Sequence, residues 1–180
     1  PSLCFFFLMV LRPPRSTLNR SSAASDVYKR QQIHRIDNPV SPAFFDLPPA
    51  PSSQRLLAIG SIVPLKGQLA LVRTLALLHE TCPDVTLRCL GSISNPDYHA
   101  QVLAALVELG MQGVIEVAGL VPPADVVAAL ARSALLLHPS RHDHVPMAIT
   151  EAMAAGRPLV ATRTGGLPAP GTRGVTGLVT

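Results

Sequence analysis

The residues whose types could do chemistry gather in one stretch, HPSRHDHVPMAITEAMAAGRP, from His138 to Pro158. Asp143 lies before a segment of helical spacing, and Glu151 lies within that segment, eight residues later. A carboxylate accepts hydrogen bonds from two sugar hydroxyls at once, so Asp143 suits a sugar and Glu151 a ribose. The helix start between them would favour phosphate. A solvated loop with a lone surface carboxylate is the plainer interpretation.

The histidines of this loop allow a metal site as an alternative. His142 and His144 flank Asp143, His138 precedes them, and imidazole is a good zinc ligand. However, two histidines in a loop need further ligands at fixed distances, and the helical His-Glu-x-x-His spacing is missing. We therefore predict that the chain holds no metal ion and no cofactor.

Two glycine-containing loops offer a place for an anion. In the segment GSIVPLKG, Gly60 would let an anionic ligand approach the backbone closely, and Lys66 is a cation at a predicted helix start. Gly165 and Gly166 would expose consecutive backbone N–H groups, which suits phosphate. Ordinary tight turns explain both loops about as well.

Strands and helices alternate regularly from Arg55 onward. The predicted strands are short apolar runs at Leu56–Ile59, Val85–Leu90, Val114–Ala118, Ala134–His138 and Pro158–Ala161. The predicted helices between them are Gly67–Glu80, Asp97–Leu109, Ala124–Arg132 and Met147–Ala155. This alternation predicts an α/β fold with a doubly wound parallel sheet, whose ligands bind beyond the carboxyl ends of the strands.

The apolar spacing also predicts which side chains are buried. Leu71, Leu75 and Leu78 should share one face of the first helix. Residues 32–54 are proline-rich and linker-like, and Phe44 and Phe45 are expected to pack against the domain at 55–180.

Charge and cysteine content exclude several classes of protein. The net charge of +4 comes entirely from residues 1–31, and the remainder holds ten basic and ten acidic residues. A neutral domain offers no broad attraction for phosphate backbones, so no nucleic-acid partner is predicted. The three cysteines, an odd number without metal spacing, suit a reducing compartment better than a disulfide framework.

The first 31 residues have a foreign composition. The segment SSAASDVYKRQ at 21–31 and the segment RPPRST at 12–17 are in-frame translations of DNA that resembles a common sequencing adapter. A genuine N-terminal extension is the alternative, and its apolar run lacks the flanking features of a signal peptide. We expect residues 1–31 to be non-native and disordered.

Several weak signals occur in an order typical of one family. The residues are Asn38-Pro39-Val40, then Gly60 with Lys66-Gly67, then Pro139-Ser140 with Asp143, then Glu151-Ala152-Met153-Ala154, Gly156 and Pro158, and finally Gly165-Gly166 with Pro168 and Gly177-Leu178-Val179. In this order they resemble the C-terminal, Rossmann-like domain of GT-B-fold retaining glycosyltransferases of family 4, or glycosyl transferases group 1. The long central signature is specific, whereas the glycine loops alone are not.

The resemblance implies a role for each matched residue. Lys66, beside Gly60 and Ser61, would contact the diphosphate of a nucleotide-diphosphate sugar, and Asp143 would meet the transferred hexose. Glu151 would bind the ribose. Backbone around His144 and Val145 would line the sugar, and Gly165 with Gly166 the phosphates. The implied reaction is hexosyl transfer with retention and without a metal, and the donor is a substrate rather than a cofactor.

Three positions depart from the family pattern. Ser61 replaces an arginine of the phosphate clamp, Asp143 replaces a glutamate, and Ala169 replaces another glutamate. The first removes a positive charge, and the second shortens the reach of the carboxylate by one methylene group.

The resemblance also implies parts that this sequence lacks. The acceptor domain of the family should lie upstream and the closing helices downstream, so we expect the chain to be an inactive, cytoplasmic fragment. Membrane association would depend on the missing domain. A stand-alone nucleotide-sugar-binding module is the main alternative. An epimerase or phosphorylase of the same fold is disfavoured by the central signature.

Overall fold

The sheet is parallel throughout, as the alternation of apolar and helical segments predicts. The computed structural model describes residues 38–143 and 146–163, and the backbone of 177–179. The strands are β1 (Arg55–Ile59), β2 (Thr86–Leu90), β3 (Ile115–Gly119), β4 (Leu135–His138), β5 (Leu159–Ala161) and β6 (Gly177–Val179). Their order across the sheet is β3-β2-β1-β4-β5-β6, which is the doubly wound α/β arrangement.

Four helices connect the first five strands. They are α1 (Gln68–His79), α2 (Pro96–Glu108), α3 (Pro123–Arg132) and α4 (Met147–Ala154). Each predicted helix is present within two residues at either end. No helix among the described residues is long and apolar enough to span a membrane.

The topology places a switch point between β1 and β4. From β1 the chain proceeds through β2 to β3 at one edge, and then returns past β1 to form β4. Leu56 and Leu57 of β1 pair with Leu135 and Leu136 of β4. Because parallel strands end at the same edge, the loop after β1 lies beside the loop after β4, where such folds bind ligands.

Buried side chains cover both faces of the sheet. Leu57 and Ala58, adjacent in β1, are 0% and 7% exposed, and successive strand residues point to opposite faces. One hydrophobic cluster joins Ala58 to the buried faces of α1 and α2. Fully burying one large apolar side chain stabilises the fold by about 1.5–3 kcal/mol. Packing on both faces of the sheet therefore holds the ends of the strands in place.

Two predicted apolar positions are more exposed than their spacing indicates. Leu71 and Leu75 of α1 are buried, but Leu78 is 38% exposed and Val72 is buried instead. The buried side chains of α1 therefore lie three or four residues apart along one face of the helix, and this buried face ends before the last turn. Phe44 is buried, whereas Phe45 is 44% exposed. The 3₁₀ turn at Pro42–Phe44 separates successive side chains by about a third of a turn, so only one phenylalanine faces inward.

A buried arginine holds the proline-rich segment against the domain. Arg157 is 2% exposed, and its Nε donates to the carbonyl of Leu130 at 2.7 Å. Its Nη2 donates to the carbonyl of Pro48, also at 2.7 Å. Arg157 thus joins the C-terminal end of α3 to the segment that precedes β1. Sequence reasoning did not identify this role, because a single arginine after a helix has many possible partners.

Candidate functional site

At the switch point, the side chains of Lys66 and His138 meet at the carboxylate of Asp143, and these three residues are called the Lys66 cluster. Lys66 ends the 3₁₀ turn Pro64–Lys66 that follows β1, and His138 is the last residue of β4. The Nζ of Lys66 donates to Oδ2 of Asp143, and Nε2 of His138 lies 3.0 Å from the same oxygen. The structure therefore brings together two residues predicted from the sequence and adds His138 to them.

This cluster is largely removed from solvent. The side chains of His138, Asp143 and Lys66 are 4%, 15% and 23% exposed. Hydrogen bonds between charged partners are stronger than neutral ones, and partial burial reduces screening by salt. The Lys66–Asp143 pair should therefore persist at physiological ionic strength.

The protonation states follow from the surroundings of each group. Burial raises the pKa of Asp143, but the hydrogen bond and charge of Lys66, with those of His138, outweigh this and lower it. Burial lowers the pKa of His138 and Lys66 adds to this, against the opposing effect of Asp143. At neutral pH Asp143 is therefore a carboxylate and His138 a neutral imidazole. A neutral imidazole must carry its proton on Nε2 to donate to Asp143.

The lowered pKa of His138 predicts a stability that depends on pH. An unfolded histidine titrates near about 6.5, so below that pH the unfolded chain binds a proton that the folded chain does not. The contribution of neutral His138 to the free energy of unfolding is complete above the pKa of the unfolded histidine. It is lost as the pH falls from there through the lower pKa of the folded protein. We expect the melting temperature to fall between about pH 7.5 and about pH 5.5, and His138→Gln to reduce this fall. The matched control is His99→Gln on α2, and equal slopes in both variants would contradict the prediction.

The loops after β1 and β4 are packed directly on each other. Gly67 has φ of 73°, and a Cβ there would lie 2.6 Å from the carbonyl oxygen of Pro139. The amide of Arg141 donates to the carbonyl of Leu65 at 2.8 Å. Ser140 is fully buried, and its Oγ donates to the carbonyl of His142 at 2.9 Å. These contacts set the distance between Lys66 and Asp143.

The loop after β2 approaches the loop after β1 even more closely. Gly91 has φ of 151°, and a Cβ there would lie 2.1 Å from the carbonyl oxygen of Gly60. The amide of Gly60 donates to the carbonyl of Leu90 at 2.8 Å. In the sequence, Gly91 is only a glycine that directly follows the predicted strand Val85–Leu90. A steric need for glycine becomes visible only once the two strands are neighbours.

Glu151 is not hydrogen-bonded to the group formed by Lys66, Asp143 and His138. It is half-buried in α4, and burial raises its pKa. Among the described residues it makes no hydrogen bond to Lys66 or Asp143. His144, Val145, Gly165 and Gly166 lie outside the described residues.

The metal alternative receives no support from the described part of the chain. Within residues 38–143 and 146–163, no group of three or more His, Cys, Asp or Glu side chains is placed to hold a metal ion. His138, a zinc candidate by sequence, instead contacts the carboxylate that Lys66 neutralises.

The sequence profile of the family described as Glycosyl transferases group 1 matches residues 53–180. The chain belongs to this family. A D-inositol 3-phosphate glycosyltransferase of Pseudarthrobacter chlorophenolicus is 37% identical over 135 residues, which cover 72% of this chain and 31% of the relative. An MMP alpha-(1->4)-mannosyltransferase of Mycolicibacterium hassiacum is 30% identical over 154 residues, covering 82% and 36%. The chain spans about a third of the length of such relatives.

A solved structure shares the same architecture. The crystal structure of Anabaena HepE in complex with UDP-glucose superimposes with a TM-score of 0.64 at 26% identity. The match covers 72% of this chain and 35% of that protein. The doubly wound sheet of this family member is therefore a glycosyltransferase-like domain, with the Lys66 cluster at its switch point.

Proposed function

We propose that this chain is the donor-binding half of a retaining glycosyltransferase of family 4, and that it binds a nucleotide-diphosphate sugar at the switch point between β1 and β4. The observation that carries the proposal is the meeting of Lys66, Asp143 and His138 at the carboxyl ends of these strands. The site offers one cation for a diphosphate and one carboxylate for sugar hydroxyls. The family membership and the UDP-glucose complex of the related structure support the same ligand class.

When the donor binds, Lys66 would donate to a phosphate oxygen, either in place of Asp143 or in addition to it. Its ammonium has three donors, so it can keep Asp143 and still donate to a phosphate oxygen. A positive charge beside the diphosphate stabilises the negative charge that develops on the leaving group, which is electrostatic catalysis. Lys66 would therefore act both in binding and in the transfer step.

Asp143 would contact the transferred sugar, and His138 would position it. The carboxylate uses Oδ2 for both Lys66 and His138, so Oδ1 remains for sugar hydroxyls. Because His138 is neutral, it orients Asp143 without cancelling its charge. We assign Glu151 to the ribose hydroxyls, and the backbone at His144, Val145, Gly165 and Gly166 to the sugar and phosphates.

The proposal places the remaining catalytic groups on another part of the protein. The acceptor would be held by a separate domain, and the chain alone would bind the donor without transferring the sugar. No metal is assigned a role, because Lys66 supplies the positive charge. The parent protein would work in the cytoplasm.

The proposal is tested by calorimetric titration of the 180-residue chain with UDP, GDP and ADP, and with their glucose or mannose conjugates, in buffer with EDTA. We expect saturable binding of one nucleoside diphosphate and its sugar conjugate, and no sugar release or transfer by chromatography. Absence of binding by every nucleotide would refute the donor site. Sugar transfer by the chain itself would refute the assignment of catalytic groups elsewhere. Binding without transfer, even after the full gene is expressed, would favour a non-catalytic nucleotide-sugar-binding module.

A further inference from the structure

A cleft of about 300 Å³ lies at the amino ends of the first three strands. Its polar and charged lining consists of Arg55, Thr86, Arg88, Glu116, Arg132 and Ser133. Arg55 and Thr86 are the first residues of β1 and β2, whereas the Lys66 cluster lies at the carboxyl ends of the strands. The five residues of β1 span about 13 Å, so the cleft is separate from the switch point.

The register of the sheet brings the charged side chains of this cleft onto one face. Arg55 pairs with Thr86, and Arg88 pairs with Glu116 of the next strand. Paired residues of neighbouring strands point to the same face, and so do residues two positions apart in one strand. Arg132 comes from the C-terminal end of α3, which packs on β1. Three arginines and one glutamate therefore line the cleft, which gives it a formal excess of two positive charges.

The three guanidinium groups have few acceptors of their own. Within residues 38–143 and 146–163, the side chains of Arg55 and Arg132 make no hydrogen bond or ion pair. The Nε of Arg88 lies 2.9 Å from Oε2 of Glu116, but its N–H is not aligned with that oxygen and has no hydrogen-bond partner there. These two side chains are 34% and 59% exposed, and ion pairs so accessible to water contribute little. Arg88 is therefore able to exchange Glu116 for another anion.

The C-terminal end of α3 does not counteract this positive charge. Open carbonyl groups at the end of a helix carry partial negative charge and would repel an anion. Here the Oγ of Ser133 donates to the carbonyl of Ala129 at 2.7 Å, and the guanidinium of Arg157 donates to the carbonyl of Leu130 at 2.7 Å. Since hydrogen bonds and a cation offset the negative end of the helix, an anion can lie beside it.

The lining and the size of the cleft favour a small organic phosphate. Guanidinium groups bind phosphate oxygens through pairs of parallel hydrogen bonds. The hydroxyl of Thr86, which has no hydrogen-bond partner in the described part of the chain, offers a further donor. Val114 and Ala129 add apolar atoms to the lining. Because about 300 Å³ is the lower end of the range for small-molecule pockets, a compact ligand fits better than a nucleotide sugar.

We propose that the cleft lined by Arg55, Arg88 and Arg132 binds the phosphate group of a small soluble phosphomonoester. On binding, Arg88 donates to the phosphate in place of Glu116. The ligand also relieves the mutual repulsion of three arginines that share one carboxylate. This phosphate site is independent of the proposed donor site, since it lies at the opposite end of β1 and contains no residue of the Lys66 cluster.

The probe is glycerol 3-phosphate, and free glycerol is the control ligand. The dissociation constant for the 180-residue chain is measured by calorimetry, and the folding of each variant is checked by thermal melting. We expect Arg88→Gln and Arg132→Gln each to weaken binding about three- to tenfold, as expected for a charged hydrogen bond that is partly exposed. The matched control is Arg73→Gln, which removes an exposed arginine of α1 and should leave the affinity unchanged.

Glu116→Gln provides a test of opposite sign. Removing this carboxylate frees Arg88 and raises the positive charge of the cleft, so glycerol 3-phosphate should bind up to about fivefold more tightly. Damage to the fold would weaken binding instead. Weaker or unchanged binding by a folded Glu116→Gln variant would therefore contradict the competition between Glu116 and the phosphate.

The remaining outcomes identify where a phosphate binds. The cleft is overturned if the wild-type chain does not bind glycerol 3-phosphate, or if both arginine variants bind it as the wild type does. Loss of binding in Lys66→Met alone would place the phosphate at the switch point. Co-sedimentation only with phosphatidylcholine vesicles that contain phosphatidic acid would assign the phosphate to a lipid head group, which also overturns the proposal. Nucleotide binding, measured in parallel, tests the donor site separately.

Discussion

Lys66→Met should bind a nucleoside diphosphate about 10- to 100-fold more weakly than the wild-type chain, as expected for the loss of one charged hydrogen bond. Methionine retains the apolar stem that packs beside Gly60, so the change removes mainly the ammonium. The same substitution leaves Asp143, 15% exposed, without its cation. Two negative groups would then face each other when the diphosphate enters, which adds repulsion to the lost attraction.

The measurement is calorimetry with the nucleoside diphosphate that the wild-type chain binds best. Arg73→Met is the matched control, because it removes a positive charge from the exposed side of α1 while the switch point stays intact. We expect its affinity to remain near that of the wild type. Equal affinities for wild type and Lys66→Met would show that the diphosphate binds elsewhere.

Gly91→Ala should destabilise the fold by about 3 kcal/mol or more, which places it among the severe single substitutions. The added Cβ would lie 2.1 Å from the carbonyl oxygen of Gly60 and 2.9 Å from the amide nitrogen of Ser61. Both of these atoms belong to backbone, so no side chain can move aside. The loop after β2 and the loop after β1, which carries Lys66, would have to separate.

Gly110→Ala provides the matched control for this steric effect. Gly110 also has a positive φ, of 66°, but a Cβ there would meet no atom within 4 Å. Gly110→Ala should therefore lower the free energy of unfolding only by the backbone strain of a positive φ, about 1–2 kcal/mol. The free energies of unfolding are compared by urea denaturation. A Gly91→Ala variant no less stable than Gly110→Ala would contradict the close packing of the two loops.

The fold could be predicted from the sequence because its signals are local. Short apolar runs such as Leu135–His138 alternate with segments of helical spacing, and this order specifies a doubly wound parallel sheet. The edge strand β6, at Gly177–Val179, was not predicted. Three residues form no recognisable period, and they become a strand only by pairing with β5.

The candidate site could be predicted only in part. Lys66 and Asp143 were identified from their types and from the family motif, but their direct contact joins residues 77 positions apart. His138 was considered only as a metal ligand, since the sequence does not show which neighbour an imidazole will meet. Ser61 was identified from the family motif, but the hydrogen bond that it accepts from Ser92 of the loop after β2, at 3.1 Å, gave no local signal.

The sequence by itself determined the succession of strands and helices along the chain and the family, and it predicts the loops in which a ligand would lie. These properties depend on periodicity and on residue types at short spacing, which a single chain displays directly. Only the tertiary structure decided that Lys66 neutralises Asp143, that His138 is a neutral partner of this carboxylate, and that Gly91 must lack a side chain. Each of these depends on which strands are neighbours and how closely their loops pack, and pairing across the sheet sets such distances.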